Sequence, residues 1–275
     1  MDILLSNDDG VYSWGLRVIY RQLKKLGRVW VVAPLEEKST AGHSLTIHKP
    51  IRLLKMESGF YGVSGSPADC VYIGIREVMK KMPDLVVSGI NRGANLGQDV
   101  YYSGTVSAAR EACILGLPAI AVSVDLDHRK QKEDKDIHFE TAARTLMRLL
   151  KEVRLADIPK HTLLNVNVPD VAMEKVKSLK ITRQGFRYYS GTVLKRVDHR
   201  GKPYFWIGGQ YKGFHNTAGT DCHTVAQRHI SVTPVKLDCT DHEYLKKLER
   251  VFEANASEGK NGRNARAKRA SRTHR

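Results

Sequence analysis

Cysteine is scarce in this chain: four residues in 275 (Cys70, Cys113, Cys222, Cys239), none paired at C-x-x-C spacing. That excludes a disulfide scaffold, and the thiols are expected to be reduced and mostly buried. Long apolar runs are missing as well. No stretch approaches the roughly 18 to 20 apolar residues of a membrane-spanning helix. The opening MDILLSNDDG has an acidic second residue and only a short apolar run, unlike a signal peptide. A cytoplasmic protein is expected. There is no G-x-x-x-x-G-K and no G-x-G-x-x-G after the first strand, so a kinase-like or nicotinamide-binding reading lacks its motif. Acidic residues are in deficit, 29 against 45 basic, for a net charge of +16. Seven of the basic residues crowd into 259–275 with no acidic partner, and the remaining 38 against 29 is still basic. What is present is an ordinary globular balance, 41% hydrophobic and 27% charged, which argues against wholesale disorder and fibrous repeats.

The first half alternates two hydrophobic periods. Ile3-Leu4-Leu5 is a short strand-length run, and Leu16, Ile19, Leu23 and Leu26 then recur at helical spacing. Val29 to Ala33 reads as a second buried strand stopped by Pro34. Ser66-Pro67 has the form of an N-cap with Pro at the first helical position, opening a helix to about Met79. Strands are expected at Leu85-Val86-Val87, Ala119–Val124 and Leu163–Val168, with helices over Ser107–Leu115 and Ile137–Val153. Strands alternating with helices imply a Rossmann-like α/β sandwich, a mostly parallel sheet covered on both faces. The second half differs. Tyr188–Gly209 reads as a long hairpin arm turning at Asp198–Gly201, His229–Val235 as a late strand, and Asp241–Ala254 as a closing helix. Three regions are therefore expected: a catalytic core over 1–185, an arm, strand and helix over 186–257, and a basic disordered tail over 258–275.

Ligands of open parallel sheets bind beyond the carboxyl ends of the strands. Asn7, Asp8, Asp9 and Gly10 follow the first strand, Ser39 lies in the loop after the second, and Ser88-Gly89-Ile90-Asn91 follows the Leu85 run. Brought together, Asp8, Asp9, Ser39 and Asn91 offer only oxygen donors, which suit Mg²⁺ or Mn²⁺, or Ca²⁺, rather than zinc or copper. An Asp-Asp-Gly by itself is an ordinary polar turn, but adjacent carboxylates shielded from water need a cation or a raised pKa. Ser103-Gly104-Thr105 precedes a good helix, whose first turn offers unpaired N–H groups to an anion, although the same residues serve as a plain N-cap. A cation beside a phosphate cradle points to phosphoryl chemistry. Water attack and a phospho-aspartyl intermediate both remain open.

The blocks ILLSNDDG, VVAP followed by KSTAGHSLTI, GSPADCVYIGI, DLVVSGINRGANLGQDVYYSGTVSAAREA, LNVNVP, ITRQG and SVTP resemble the SurE family of survival proteins, in the family's order over roughly residues 1 to 240. The resemblance implies a Rossmann-like core, a C-terminal arm used for dimer or tetramer assembly, and metal-dependent hydrolysis of nucleoside monophosphates, the 5′ esters and also the 3′. It implies one divalent cation held by Asp8, Asp9, Ser39 and Asn91, with Asp8 and Asp9 catalytic. Asn95, Ser103, Gly104 and Thr105 match the family's phosphate-side residues. Ala94 stands where the family often has Pro, Arg228-His229 departs from the usual residues before SVTP, and the basic tail has no counterpart. The tail reads as a solvated extension, with a weak electrostatic contact to nucleic acid or polyphosphate as its sharper reading. His43 and His48 are read as structural or exposed. Two rivals stand beside this reading: an Asp-nucleophile phosphatase, which would usually carry D-x-D rather than adjacent D-D, and a non-catalytic nucleotide- or RNA-binding protein, suggested by the charge.

Overall fold

A computed structural model describes residues 1–126 and 132–253. The expected basic tail over 258–275 lies outside the described residues. They form two compact units, one over Met1–Leu237 and one beginning at Asp238.

The first unit is built on a nine-stranded sheet. In chain order its strands are β1 (Asp2–Ser6), β2 (Arg28–Pro34), β3 (Leu53–Lys55), β4 (Tyr61–Val63), β5 (Leu85–Arg92), β6 (Ala119–Asp125), β7 (Thr162–Pro169), β8 (Leu179–Ile181) and, after four arm strands, β13 (Ile230–Lys236). The spatial order is β3-β4-β2-β1-β5-β6-β7-β13-β8. Strands β4, β2, β1, β5, β6 and β7 run parallel, while β13 is antiparallel to β7. The chain leaves β1 first toward β2 and later returns to β5 on its other side. The crevice beyond the carboxyl ends of β1 and β5 is thus the switch point where α/β sheets take ligands.

The helices are α1 (Trp14–Leu23), α2 (Pro67–Ile73), α3 (Gly104–Ile114), α4 (Phe139–Glu152) and α5 (Asp221–Ala226). Side chains of β1 alternate between faces: Ile3 and Leu5 pack with Leu16, Ile19 and Leu146 from α1 and α4, and Leu4 packs with Val71, Val106 and Ala109 from α2 and α3. Each buried Leu or Ile contributes about 1.5–3 kcal/mol relative to exposure. The expected apolar runs are therefore strands, and covered on both faces. The Ser66 cap is present as a full capping box with Asp69, and α2 passes into a π-helical turn over Gly74–Met79. Pro34 is the last residue of β2, which begins one residue earlier than expected, at Arg28. The α3 helix starts three residues earlier than its apolar pattern indicates, at Gly104, because Ser103 caps it.

The arm contains β9 (Arg187–Tyr189) paired antiparallel with β12 (Tyr211–Phe214), and the hairpin β10 (Thr192–Val197) with β11 (Pro203–Gly208), every residue of which is exposed. In the second unit residues 242–253 are helical, and Tyr244, Leu245, Leu248, Val251 and Phe252 are exposed on it. Cys70, Cys113 and Cys222 are buried, Cys239 is exposed, and none of the four forms a disulfide. Among the described residues no helix is long and apolar enough to cross a membrane.

Candidate active site at the carboxyl ends of β1 and β5

The turn after β1 places Asp8 and Asp9 in the crevice. Asp8 is buried, and one of its carboxylate oxygens, Oδ1, accepts a hydrogen bond from the Thr105 hydroxyl in the first turn of α3. Gly104 lies against the same carboxylate: a Cβ there would sit 2.7 Å from Asp8 Cβ and 2.8 Å from Oδ2. The approach of α3 to the first acidic residue therefore requires glycine. Asp9 Oδ2 accepts from the Arg92 backbone N–H at 3.2 Å, which ties the acidic pair to the end of β5. Burial is the largest force on both carboxyls. It raises Asp8 against the lowering pull of Thr105, and together with the charge of Asp8 it carries Asp9 up to about 7.

Asn91 reaches the crevice because β5 is irregular there. The pairing of β5 with β6 shifts register between Ser88 and Asn91. Gly89 lies at the shift with φ +131°, and a Cβ would fall 2.3 Å from the Val122 carbonyl oxygen. The Asn91 amide nitrogen donates to Gly93 O at 2.7 Å, which leaves Oδ1 as the side chain's acceptor atom.

The loop after β2 is fastened to the acidic turn by Lys38 N–H donating to Asp8 O at 2.7 Å. Ser39 follows at once, but its hydroxyl donates to Glu37 Oε1 at 2.5 Å rather than to either Asp. Glu37 is a neighbour that periodicity and motif did not signal, and its charge pushes both carboxyls further up. Ser103 is buried and spends its hydroxyl accepting from Val106 N at 3.0 Å. Asn95 is turned to another part of the rim: its side-chain nitrogen donates to Ser123 Oγ at 2.8 Å, its backbone N–H donates to Asn167, and its carbonyl accepts from Asn165 and Asn167. The structure thus brings Asp8, Asp9, Gly104, Thr105 and the end of β5 together, with Ser39 adjoining. The Asn95 side chain is bonded elsewhere.

Among the described residues no cluster of three or more His, Cys, Asp or Glu side chains is formed that could hold a metal. A cation here has to draw on hydroxyl and amide oxygens as well as the two carboxylates. The set fits a hard cation on that count, since every donor is oxygen and, among the described residues, neither the buried Asp8 nor the half-buried Asp9 carboxylate has an ion-pair partner. Buried atoms without hydrogen-bond partners surround the turn: Ser6 Oγ, Asn7 Oδ1 and Ser88 Oγ.

The family model for survival protein SurE matches residues 3–191. The protein named 5′-nucleotidase SurE of Pelobacter propionicus is 44% identical over 246 residues, covering 90% of this chain and 97% of the relative. That of Aquifex aeolicus, with the same name, is 45% identical over 248 residues, covering 90% and 96%. The crystal structure of the SurE protein from Aquifex aeolicus superposes with a TM-score of 0.77 at 44% identity, covering 92% of this chain and all of that one.

Proposed function

The chain belongs to the SurE family of survival proteins, and from that premise we propose that it is a divalent-metal-dependent 5′-nucleotidase, hydrolysing nucleoside 5′-monophosphates to nucleoside and inorganic phosphate. The relatives carry the 5′-nucleotidase name over nine-tenths of this chain. The single observation that carries the mechanism is the Thr105–Asp8 hydrogen bond, which holds the N-terminus of α3 against the acidic turn.

The family's chemistry is metal-dependent, and Asp8, Asp9, Asn91 Oδ1 and Ser39 are the residues that would hold Mg²⁺ or Mn²⁺. When bound, such an ion polarises a phosphoryl oxygen and lowers the pKa of a coordinated water. The protein's own groups do the rest. Val106 N–H is taken by the Ser103 cap and Thr105 N–H by Asp8, so the first turn of α3 offers the phosphoryl oxygens chiefly the positive end of its dipole. Gly104 keeps that turn free of a side chain. The Thr105 hydroxyl, spent on Asp8, orients the carboxylate rather than the substrate. Without a cation, burial beside Asp8 lifts the Asp9 carboxyl to about 7; the charge of a cation held between the two would keep it ionised as a ligand. In the hydrolysis the water oxygen joins phosphorus and the water gives up one proton, the phosphorus bond to the nucleoside oxygen breaks, and that oxygen leaves as a hydroxyl with one proton gained in place of the one the water gave up. Asn95 is carried as a phosphate ligand by the family resemblance; its side-chain nitrogen gives one hydrogen to Ser123, and the second N–H is the donor that role would use.

The exposed hairpin β10–β11 supports assembly into a homodimer or homotetramer, because an isolated two-stranded ribbon is marginal in water and Val193, Phe205, Trp206 and Ile207 are uncovered on it. The 186–257 region is accordingly read as the assembly arm, and the compartment as the cytoplasm. A second reading, nucleic-acid binding, is favoured only by the +16 charge. Purified protein should release phosphate from nucleoside monophosphates with Mg²⁺ or Mn²⁺ and stop in chelator. Metal-independent turnover by the D8N/D9N double variant would overturn the assignment.

A further inference from the structure

We propose that His43 and Glu111 form a clamp that positions Ser39 for the cation, by fastening the loop after β2 onto the helix that carries the phosphate cradle. The inference rests on the reading of Ser39 as a metal ligand.

Glu111 lies seven residues beyond Gly104 on α3, two turns along the same face and about 10 Å down the axis. It is 3% exposed. A buried carboxylate is costly without a donor, and the donor here is His43, whose Nε2 lies 2.9 Å from Glu111 Oε2. A carboxylate only accepts, so Nε2 carries the hydrogen. The link runs from the loop directly into α3.

Other ties fix the same loop at its margins. Gly42 N–H donates to Tyr102 O at 3.1 Å, beside the Ser103 cap. Ser66 Oγ donates to Ser44 O at 2.5 Å, and Thr46 donates through both N–H and hydroxyl to Asp69, at 2.8 and 2.6 Å. Between Ser39 and these ties sits Thr40 with φ +59°. A β-branched residue in the left-handed region persists only where its surroundings over-determine it. The backbone beside Ser39 is therefore held in a conformation it would not keep alone. His43 supplies the side-chain link that ties this strained turn to the cradle helix. Through it the position of Ser39 and that of the α3 N-terminus become one mechanical unit. Residues that orient metal ligands from behind typically change affinity by about 10- to 100-fold when removed.

The test uses full-length protein. In metal-free H43A, hydrogen exchange at the Gly42 amide should speed up about tenfold while Val106 is unaffected. The Mn²⁺ dissociation constant, measured by calorimetry without substrate, should rise about tenfold. Turnover at saturating Mn²⁺ should stay within about twofold, because the clamp acts through the ligand and touches no substrate. H43Q, whose amide can still donate to Glu111, should restore both affinity and protection. E111Q, which preserves the shape of the buried side chain, should shift Mn²⁺ affinity in the same direction by less. Unchanged exchange at Gly42 in H43A overturns the clamp. Faster exchange with unchanged Mn²⁺ affinity, or wild-type protein that binds no Mn²⁺, overturns the positioning role. If Mn²⁺ affinity follows the clamp and no phosphate is released, the clamp stands and the nucleotidase reading alone falls.

Discussion

Thr105 donates its hydroxyl hydrogen to the carboxylate of Asp8 across 97 residues of sequence. The bond joins the turn after β1 to the first turn of α3, so the acidic group and the anion-attracting helix end are placed by one contact. T105V keeps the volume and removes the donor. Losing a partner of a buried charged group costs about 1–3 kcal/mol. The variant should melt several degrees lower in chelator and lose about tenfold or more in phosphate release, read by thermal denaturation and a phosphate assay.

Gly104 faces the same carboxylate from closer still. Alanine is a better helix former than glycine by about 1 kcal/mol, so G104A in an open helix would gain stability. Here the new methyl would meet Asp8 at 2.7 Å. Asp8 has to move, and a displacement near 1 Å at a reacting centre can cost about 100-fold in rate. The expected result is a large fall in kcat with a modest change in melting temperature.

The acidic pair also sets a pH dependence. The Asp9 carboxyl rises from 3.8 to about 7 in the fold because it is buried beside Asp8. Folded protein therefore holds more protons than unfolded protein between those values. Protonation of Asp9 contributes stability that is complete below about pH 3.8 and lost as pH rises through 7. Metal-free protein should lose melting temperature from pH 5 to pH 8, and added Mg²⁺ or Mn²⁺ should restore more at pH 8 than at pH 5. D9N should flatten the metal-free slope. A scan at both pH values, with chelator and with metal, reads the difference.

Much of this architecture is legible in the sequence because burial on both faces of the sheet produces unbroken apolar runs such as Ile3-Leu4-Leu5 and Leu85-Val86-Val87. Helices α1 and α4 bury one face and so show their period. Short elements escape that logic: β3 is exposed along its whole length, and α5 lasts six residues. For the candidate site, the rule about strand ends points to Asp8, Asp9 and Asn91. It does not point to Glu37 or the His43–Glu111 pair, since a loop has no period and their partners lie far along the chain. Asn95 matches a family position, yet its amide is drawn to Ser123 by packing over β6 and β7 that no local pattern encodes.

The charge excess offers a separation of readings. Seven cations lie in residues 259–275. Deleting that segment should leave nucleotidase activity within about twofold. Any affinity for RNA should fall, and its dependence on salt should flatten, since each lost phosphate contact removes close to one unit of the logarithmic slope. Filter binding at several salt concentrations, beside a phosphate assay, measures both.

Asp221 carries the final prediction. It is fully buried at the start of α5, and its carboxylate accepts from three backbone N–H groups: Gly97 at 2.9 Å, Gly185 at 2.7 Å and Cys222 at 2.7 Å. No cation is needed, because three aligned donors satisfy the charge. Through Gly97 the carboxylate also fixes the chain just past Asn95, at the far end of the loop leaving β5. D221N keeps the shape but turns one accepting oxygen into a donor that faces other donors. The variant should lose about 2 kcal/mol or more, visible as an earlier melt whether or not metal is present. That metal independence distinguishes it from changes at Asp8 and Asp9, whose cost should depend on the cation.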